Sequence, residues 1–446
     1  MKRLIRAARI WDGGSRFIEG GGILIQGDHI EAVLTREELT MMEIPPSVER
    51  IDGVGKLAIP GLINAHTHLY SSLARGMTVS PFTPSSFTEI LEQLWWRLDK
   101  ALDAKTVRIS GQVGAMEAAR CGVTTLIDHH ASPNAVLGSL TSLKEAVCDE
   151  VGLRAALCYE VSDRDGPTIR DQGIEENLAF LHETTHSNTQ VAGLFGLHAS
   201  FTLSEETLDR VAQEIPDDAG IHIHVAEGPE DELQCLEQHG LRIADRLKGY
   251  GLLRPTSVLA HCLHVDGAER RTIKEHDAVV VHNPRSNMNN AVGTFALDRF
   301  LGDGILVTLG TDGLGTNMLG ELMTAGLLQK QVLANPLADG FPKLDQLLFH
   351  NNPRLAERLF GVRSGKIAPG YAADIALVAY TPPTPIRAEN VLGHLLFGIA
   401  VHDLRVSDLF VAGRPILRDG RFVDLDEEGI YARAQDAANR LWKRLA

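Results

Sequence analysis

The stretch LAIPGLINAHTH, Leu57 to His68, is an apolar run without polar alternation that closes on two histidines. Such a run suits a strand buried on both faces of a parallel sheet, and one strand of that kind needs others beside it. Seven more runs follow: GVTTLIDHH from Gly122, GLRAALCYE from Gly152, VAGLFGLHAS from Val191, GIHIHVAE from Gly220, SVLAHCLHV from Ser257, AVVVHNP from Ala278 and ILVTLGTDG from Ile305. Helix-period segments lie between several of them. Val107 to Cys121 is one, with Gly122 placed to end it. After the fourth run, Thr202 and Glu205 read as a capping box ahead of Leu208, Val211 and Ile215. Strand and helix in eightfold alternation is the grammar of an α/β fold, the (β/α)8 TIM barrel, expected here over residues 59–364.

The flanks read differently. Residues 1–58 and 365–446 hold short β-rich runs broken by Gly and Asp, among them GGILIQGDHIEAVL and DLRVSDLFVAGRPILRDGRF. They are expected to pair in space as one small discontinuous β-sandwich domain built from both termini.

Composition sets the outer limits. The 446 residues, 44% hydrophobic and 23% charged, are globular in type, which excludes disorder and fibrous repeats. With 43 Lys and Arg against 58 Asp and Glu, the net charge of −15 repels nucleic-acid backbones and anionic membranes, so neither is expected as a partner. The five cysteines form no CxxC pair, and neither a disulfide framework nor a thiolate metal site is expected. No signal-like or membrane-spanning run is present, and a cytoplasmic protein is expected.

The strand ends carry the chemistry. In a barrel they share one mouth, and here most runs end in histidine and the eighth in Asp312. His66 and His68 fall on one face of an extended segment. With a histidine of the fifth run, where His222, His224 and Glu227 stand, and with Asp312, they make an N,N,N,O set suited to Zn2+ or Fe2+ with an open position for water.

PGLINAHTH, HVAE, AHCLH, HNPRSN and LGTDG, in that order, resemble the amidohydrolase superfamily in its deaminase and chlorohydrolase branch. LWWRLDKALD, IDHHASP and HNPRSNMNN are similar to the SsnA-type aminohydrolases within it. The resemblance implies His66, His68, His224 and Asp312 as metal ligands, leaving His222 as their neighbour. It implies Glu227 as acid/base, His261 as the imidazole that orients the attacking hydroxide, and His198 as a substrate contact. Two-metal members generally bridge their ions with a modified lysine or a carboxylate from strand three or four. No lysine occurs between Lys144 and Lys248; Glu160 at the end of strand three could bridge two ions, but a substrate or structural role is preferred for it, so one divalent ion, zinc before iron, is expected.

Gln93, Trp95 and Trp96, in the insertion after strand one, and Asn287, in the run Arg285, Ser286, Asn287, are candidate substrate contacts or else packing. His129 and His130 either line the pocket or fix loops, and His264 either supports His261 or caps a loop. His29, His182, His186, His239, His276, His350 and His402 read as incidental.

The function implied is removal of an exocyclic amino group, as ammonia, from a purine- or pterin-like heterocycle by metal-bound hydroxide. A chloro or thiomethyl leaving group would use nearly the same machinery. A cyclic-amide hydrolase, which usually needs the missing lysine, and a catalytically silent partner in a purine- or selenium-linked complex are the rivals. A homo-oligomer is expected from the resemblance.

Overall fold

The computed structural model describes residues 2–184, 189–338, 340–402 and 405–445. His186 lies outside the described residues. All eight expected runs contain strands: β1 (Leu62–Thr67), β2 (Val123–His130), β3 (Arg154–Tyr159), β4 (Phe195–Ala199), β5 (Ile221–Val225), β6 (Val258–His261), β7 (Val279–His282) and β8 (Leu306–Leu309). Every pairing among them is parallel. β1, β2 and β3 belong to one sheet, together with a short strand at Val191–Gly193 that breaks away from β4. β4 to β8 form a second sheet in sequence order. Two parallel bridges, Thr67 with Asp312 and Val161 with Leu197, join the sheet edges.

The unbroken apolar runs follow from burial on both sides. Leu126, Val280 and Val307 enter the large core beneath the helices, while their neighbours Ile127, Val281 and Leu306 enter a separate core on the opposite face. Alternation has no reason to appear when neither face meets water.

The helices mostly start and stop where expected. Ala104–Arg120 is capped by Asp103, and Gly122 just beyond it has φ +81°, a conformation open to glycine. The capping box at Thr202 and Glu205 is a correction: helix Glu205–Glu214 is capped by Ser204, which accepts from Thr207 N at 3.2 Å. Thr202 instead sits in a single 3₁₀ turn, where its hydroxyl meets His198 Nδ1 at 2.7 Å.

The two ends of the chain pair with each other in one nine-stranded sheet. Strand Lys56–Pro60 runs antiparallel to Ile375–Ala379, and Ile5, Ile10, Ile23, Ile375 and Phe410 share a core of their own beneath it. The boundary expected at residue 58 falls inside the first of these strands. Nor is the tail wholly β: helix Glu427–Leu445 packs away from the sheet, with Trp442 Nε1 donating to Leu73 O at 2.8 Å and Arg444 pairing with Asp103 at 2.7 Å. Among the described residues no helix is long and apolar enough to cross a membrane.

Candidate metal and catalytic site

Strands β1 and β8 meet through side chains chosen for close approach. Asn64 donates to Thr311 Oγ1 at 2.7 Å and accepts from Thr311 N at 3.1 Å, a reciprocal pair between β1 and the turn after β8. A Cβ on Gly310 would come within 2.8 Å of His66 O, so only glycine lets β8 pass this near. Asp312 then adopts φ +53°, and the amides of Thr311 and Asp312 both donate to His66 O at 3.0 Å. That turn delivers the Asp312 carboxylate to the β1 histidines.

The histidines are oriented from behind. His68 Nδ1 donates to His129 O at 2.6 Å, and His224 Nδ1 to His198 O at 2.9 Å. His66 Nδ1 lies 2.9 Å from His222 Nε2, which places His222 as the support of His66. With Nδ1 so engaged, each ring turns Nε2 toward the others, offering a lone pair wherever the ring is neutral. His68 Nε2 lies 3.2 Å from His224 Nε2 and 3.0 Å from Asp312 Oδ1, and His66 Nε2 lies 3.5 Å from the same oxygen. His66 Nε2 is buried with no hydrogen-bond partner. Leaving such an atom unmatched costs about 1–3 kcal/mol. A divalent cation removes that cost and the repulsion between the facing lone pairs, so the donor set fits one.

The ligand atoms of His66, His68 and His224 lie within 4.8 Å of one another, as do those of His66, His261 and Asp312. A third group, His129, Glu160 and His224, meets the same limit. It shares His224 with the first group.

Electrostatics sharpen the picture. Burial pushes His66 down to about 3. For His68 burial is outweighed by the hydrogen bond and charge of Asp312, and its pKa rises to about 9. Asp312 is held well below the carboxylate range against burial by these two histidines and His261.

Glu227 and His261 stand beside this cluster. Glu227 Oε2 is 3.3 Å from His261 Nε2, which is 3.7 Å from Asp312 Oδ2. Burial raises the Glu227 pKa, opposed by His261 and reinforced by Asp312. One short segment, reached directly from β7 and including helix Pro284–Asn289, touches all three groups. Ser286 donates to Asp312 Oδ2, Asn287 Oδ1 accepts from His261 Nδ1 at 2.8 Å, and Asn290 donates to Glu227 Oε1 at 3.0 Å.

The groups open on a cleft. Phe87, Leu91, Trp95, Trp96, Phe201 and Leu314 give it apolar walls, and His198 lines it as expected. Two expected substrate contacts are elsewhere. Asn287 is buried behind His261, spent on its ring nitrogen. Gln93 Oε1 accepts from Thr83 N at 2.8 Å on the outside of the insertion. His129 bonds through Nε2 to Leu197 O and His222 O, so it ties strand ends together, and His264 bonds Val292 O rather than His261.

Sequence reasoning missed a polar wall of the same cleft. Arg164 NH1 lies 2.9 Å from Glu160 Oε1, NH2 lies 2.8 Å from Asp99 Oδ2, and Nε lies 3.3 Å from Asp165 Oδ2. The guanidinium also lies 5.3 Å from the Trp96 ring centre. Burial lifts Asp99 to about 7 against the pull of Arg164. Of this wall the sequence reading names only Glu160, as a substrate or structural residue; Asp99 stands one turn after Trp96, on a helix with Leu98 and Ala101 also buried.

The Amidohydrolase family profile matches residues 57–415. A 5'-deoxyadenosine deaminase of Methanocaldococcus jannaschii is 30% identical over 427 residues, 93% of this chain and 95% of that one. Its counterpart in Methanopyrus kandleri is 31% identical over 434 residues, 96% of each chain. Among solved structures, an adenosine deaminase from Xanthomonas campestris with bound zinc superposes with a TM-score of 0.83 at 22% identity, covering 99% of this chain and 98% of that one. An atrazine chlorohydrolase from Arthrobacter aurescens complexed with zinc does so at 0.81 and 22%, covering 98% and 100%.

Proposed function

Starting from the fact that the chain belongs to the amidohydrolase family, in its deaminase and chlorohydrolase branch, and is a hydrolase acting on carbon–nitrogen bonds, we propose that it is a metal-dependent aminohydrolase releasing ammonia from an aminated purine-like ring. The carrying observation is the convergence of His66, His68, His224 and Asp312 beside Glu227 and His261 at the strand ends. The parallel sheets and their two bridges support the barrel reading, with residues 59–364 as its catalytic part and both termini as the second domain.

His66, His68, His224 and Asp312 hold one ion, zinc in preference. When bound it supplies Lewis acidity, which brings the pKa of water from 15.7 to about 7. Asp312 accepts the proton of the attacking water, a role its strongly acidic carboxylate can fill only in such a field. Glu227, whose pKa burial raises, gives its proton to the ring nitrogen beside the carbon under attack, which ends the aromatic resistance to addition. Its Oε1 is tied to Asn290, so the proton travels from Oε2, the oxygen beside His261. With Nδ1–H donated to Asn287, His261 is held with Nε2 3.3 Å from Glu227 Oε2 and 3.7 Å from Asp312 Oδ2, where it orients the attacking water. The proton held by Asp312 then leaves with the amino group as ammonia, and the proton of the new hydroxyl returns to Glu227 as the carbonyl forms.

The 5'-deoxyadenosine deaminase relatives favour a purine over a pterin or triazine. Ammonia release by the metal-loaded protein across aminopurines, aminopterins and aminotriazines, with metal content measured on the same sample, tests this. Release from the purines leads if the reading holds. Release of chloride but no ammonia, using chlorinated rings, would place the chain with the chlorohydrolases instead.

A further inference from the structure

Resting on the reading of His66 as a metal ligand, we infer that the main-chain carbonyl of Asp128 dictates which nitrogen of His66 faces the ion, and that Cys158 and His222 are the positioning residues that relay this choice. A histidine ligates only through an unprotonated nitrogen, so each ligand ring needs its other nitrogen held as a donor. For His68 and His224 the acceptor is a backbone carbonyl, His129 O at 2.6 Å and His198 O at 2.9 Å, and a carbonyl has no other part to play. His66 is held differently. Its Nδ1 faces His222 Nε2 at 2.9 Å, and an imidazole nitrogen can be donor or acceptor. Were His222 Nε2 the donor, the neutral His66 ring would carry its proton on Nε2 and could not bind an ion.

The contacts beyond His222 settle the direction. His222 is fully buried, and its two ring nitrogens face His66 and Cys158 rather than a carboxylate, so the ring carries a single proton. Its Nδ1 lies 3.7 Å from Cys158 Sγ, and Cys158 Sγ donates to Asp128 O at 3.5 Å. A thiol has one hydrogen. With that hydrogen given to Asp128 O, the sulfur accepts from His222 Nδ1–H. His222 Nε2 is then a lone pair that accepts from His66 Nδ1–H, and His66 Nε2 is left bare. The surroundings of His66 Nε2 agree: it stands 3.5 Å from Asp312 Oδ1 yet has no hydrogen-bond partner. Cys158 and His222 are both closed to solvent, so bulk water offers no competing donor or acceptor along the chain. All three imidazole ligands therefore end on a main-chain carbonyl, two directly and one through two side chains. The carbonyls behind His66 and His68 belong to consecutive residues of β2, Asp128 and His129. The two histidines of β5 divide the work, His224 as a ligand and His222 as the support of one.

The test needs no substrate. NMR of the zinc-loaded full chain with nitrogen-labelled histidines reports which nitrogen of His222 carries the proton; Nδ1 is expected, and a proton on Nε2 overturns the relay. Zinc affinity, by chelator competition, is then compared in His222→Leu, which has no acceptor, and His222→Gln, whose side-chain oxygen can replace Nε2. His222→Leu is expected to raise the zinc Kd about 10- to 100-fold, with His222→Gln within about fivefold of wild type. The loss should appear as a smaller zinc-dependent gain in the urea midpoint, with the metal-free midpoint little changed. A leucine variant within about threefold of wild type overturns the inference. So does a glutamine variant as weak as the leucine one, because the shape of the ring and not its lone pair would then hold His66. Should neither variant fold, the proton position on His222 decides alone. A wild-type chain that binds no zinc overturns the metal reading and the relay with it. Zinc binding with the expected results but no ammonia from any ring supports the relay and overturns only the aminohydrolase reading.

Discussion

At the strand-end wall of the cleft, His66 Nε2 and His261 Nε2 are buried without a hydrogen-bond partner. At the Arg164 wall, a buried guanidinium lies within 3.3 Å of three carboxylates. Both are polar and largely buried, yet at one wall facing imidazole nitrogens and a carboxylate converge on one point, while at the other a guanidinium already stands among carboxylates, though Arg164 NH1, Glu160 Oε1 and Asp99 Oδ1 still lack a hydrogen-bond partner. The contrast separates residues that converge on one ion position from residues tied into an ion-pair cluster, and it predicts that substitutions on the two walls fail in different ways.

The largest effect is expected at Asp312. Asp312→Asn should lower turnover by about 10⁴-fold or more together with metal content, while its urea midpoint falls only modestly, because the charge removed is one that the surrounding histidines hold in the ionised form. A stability loss comparable to the activity loss would erase the contrast. Glu227→Gln comes next: about 10²- to 10⁴-fold lower kcat with full metal content. In the wild type, kcat should fall as pH rises through the elevated Glu227 pKa, since the protonated acid is the donor, and the variant should lack that alkaline limb.

The other wall should behave in reverse. Arg164→Met leaves Asp99 buried without its cation and Glu160 with only histidines beside it, and a loss of about 3–5 kcal/mol in unfolding free energy is expected, with nucleoside turnover within tenfold of wild type. The smallest effect belongs to the segment behind the catalytic groups. Asn290→Ala should lower kcat about tenfold, the worth of one positioning hydrogen bond of about 1.4 kcal/mol, with KM and metal content little changed.

How far the sequence revealed these walls differs for a physical reason. The strand-end wall was legible because its residues sit at fixed points of a regular pattern: an apolar run, then His66, His68, His224 or Asp312. Barrel strands buried on both faces suppress alternation, which made the runs themselves conspicuous. The Arg164 wall gathers Asp99 from the insertion helix and Glu160, Arg164 and Asp165 from the loop after β3, and no local period connects them. Asn287 and Gln93 were misplaced for the same cause: their segments were identified, but which way each side chain turns depends on partners far along the chain, His261 for one and a bent insertion loop for the other. The tail helix Glu427–Leu445 is a different kind of omission, since Ile430, Ala434, Ala437 and Leu441 stand at helical spacing and were overlooked among β-rich neighbours.

The most direct test of the central claim is a titration of zinc into the metal-free chain, with ammonia release from the best purine nucleoside read at each addition. Activity should rise linearly from zero and break at one equivalent per chain. Activity before any metal is added, or a break at two equivalents, would contradict the single-ion site built from His66, His68, His224 and Asp312.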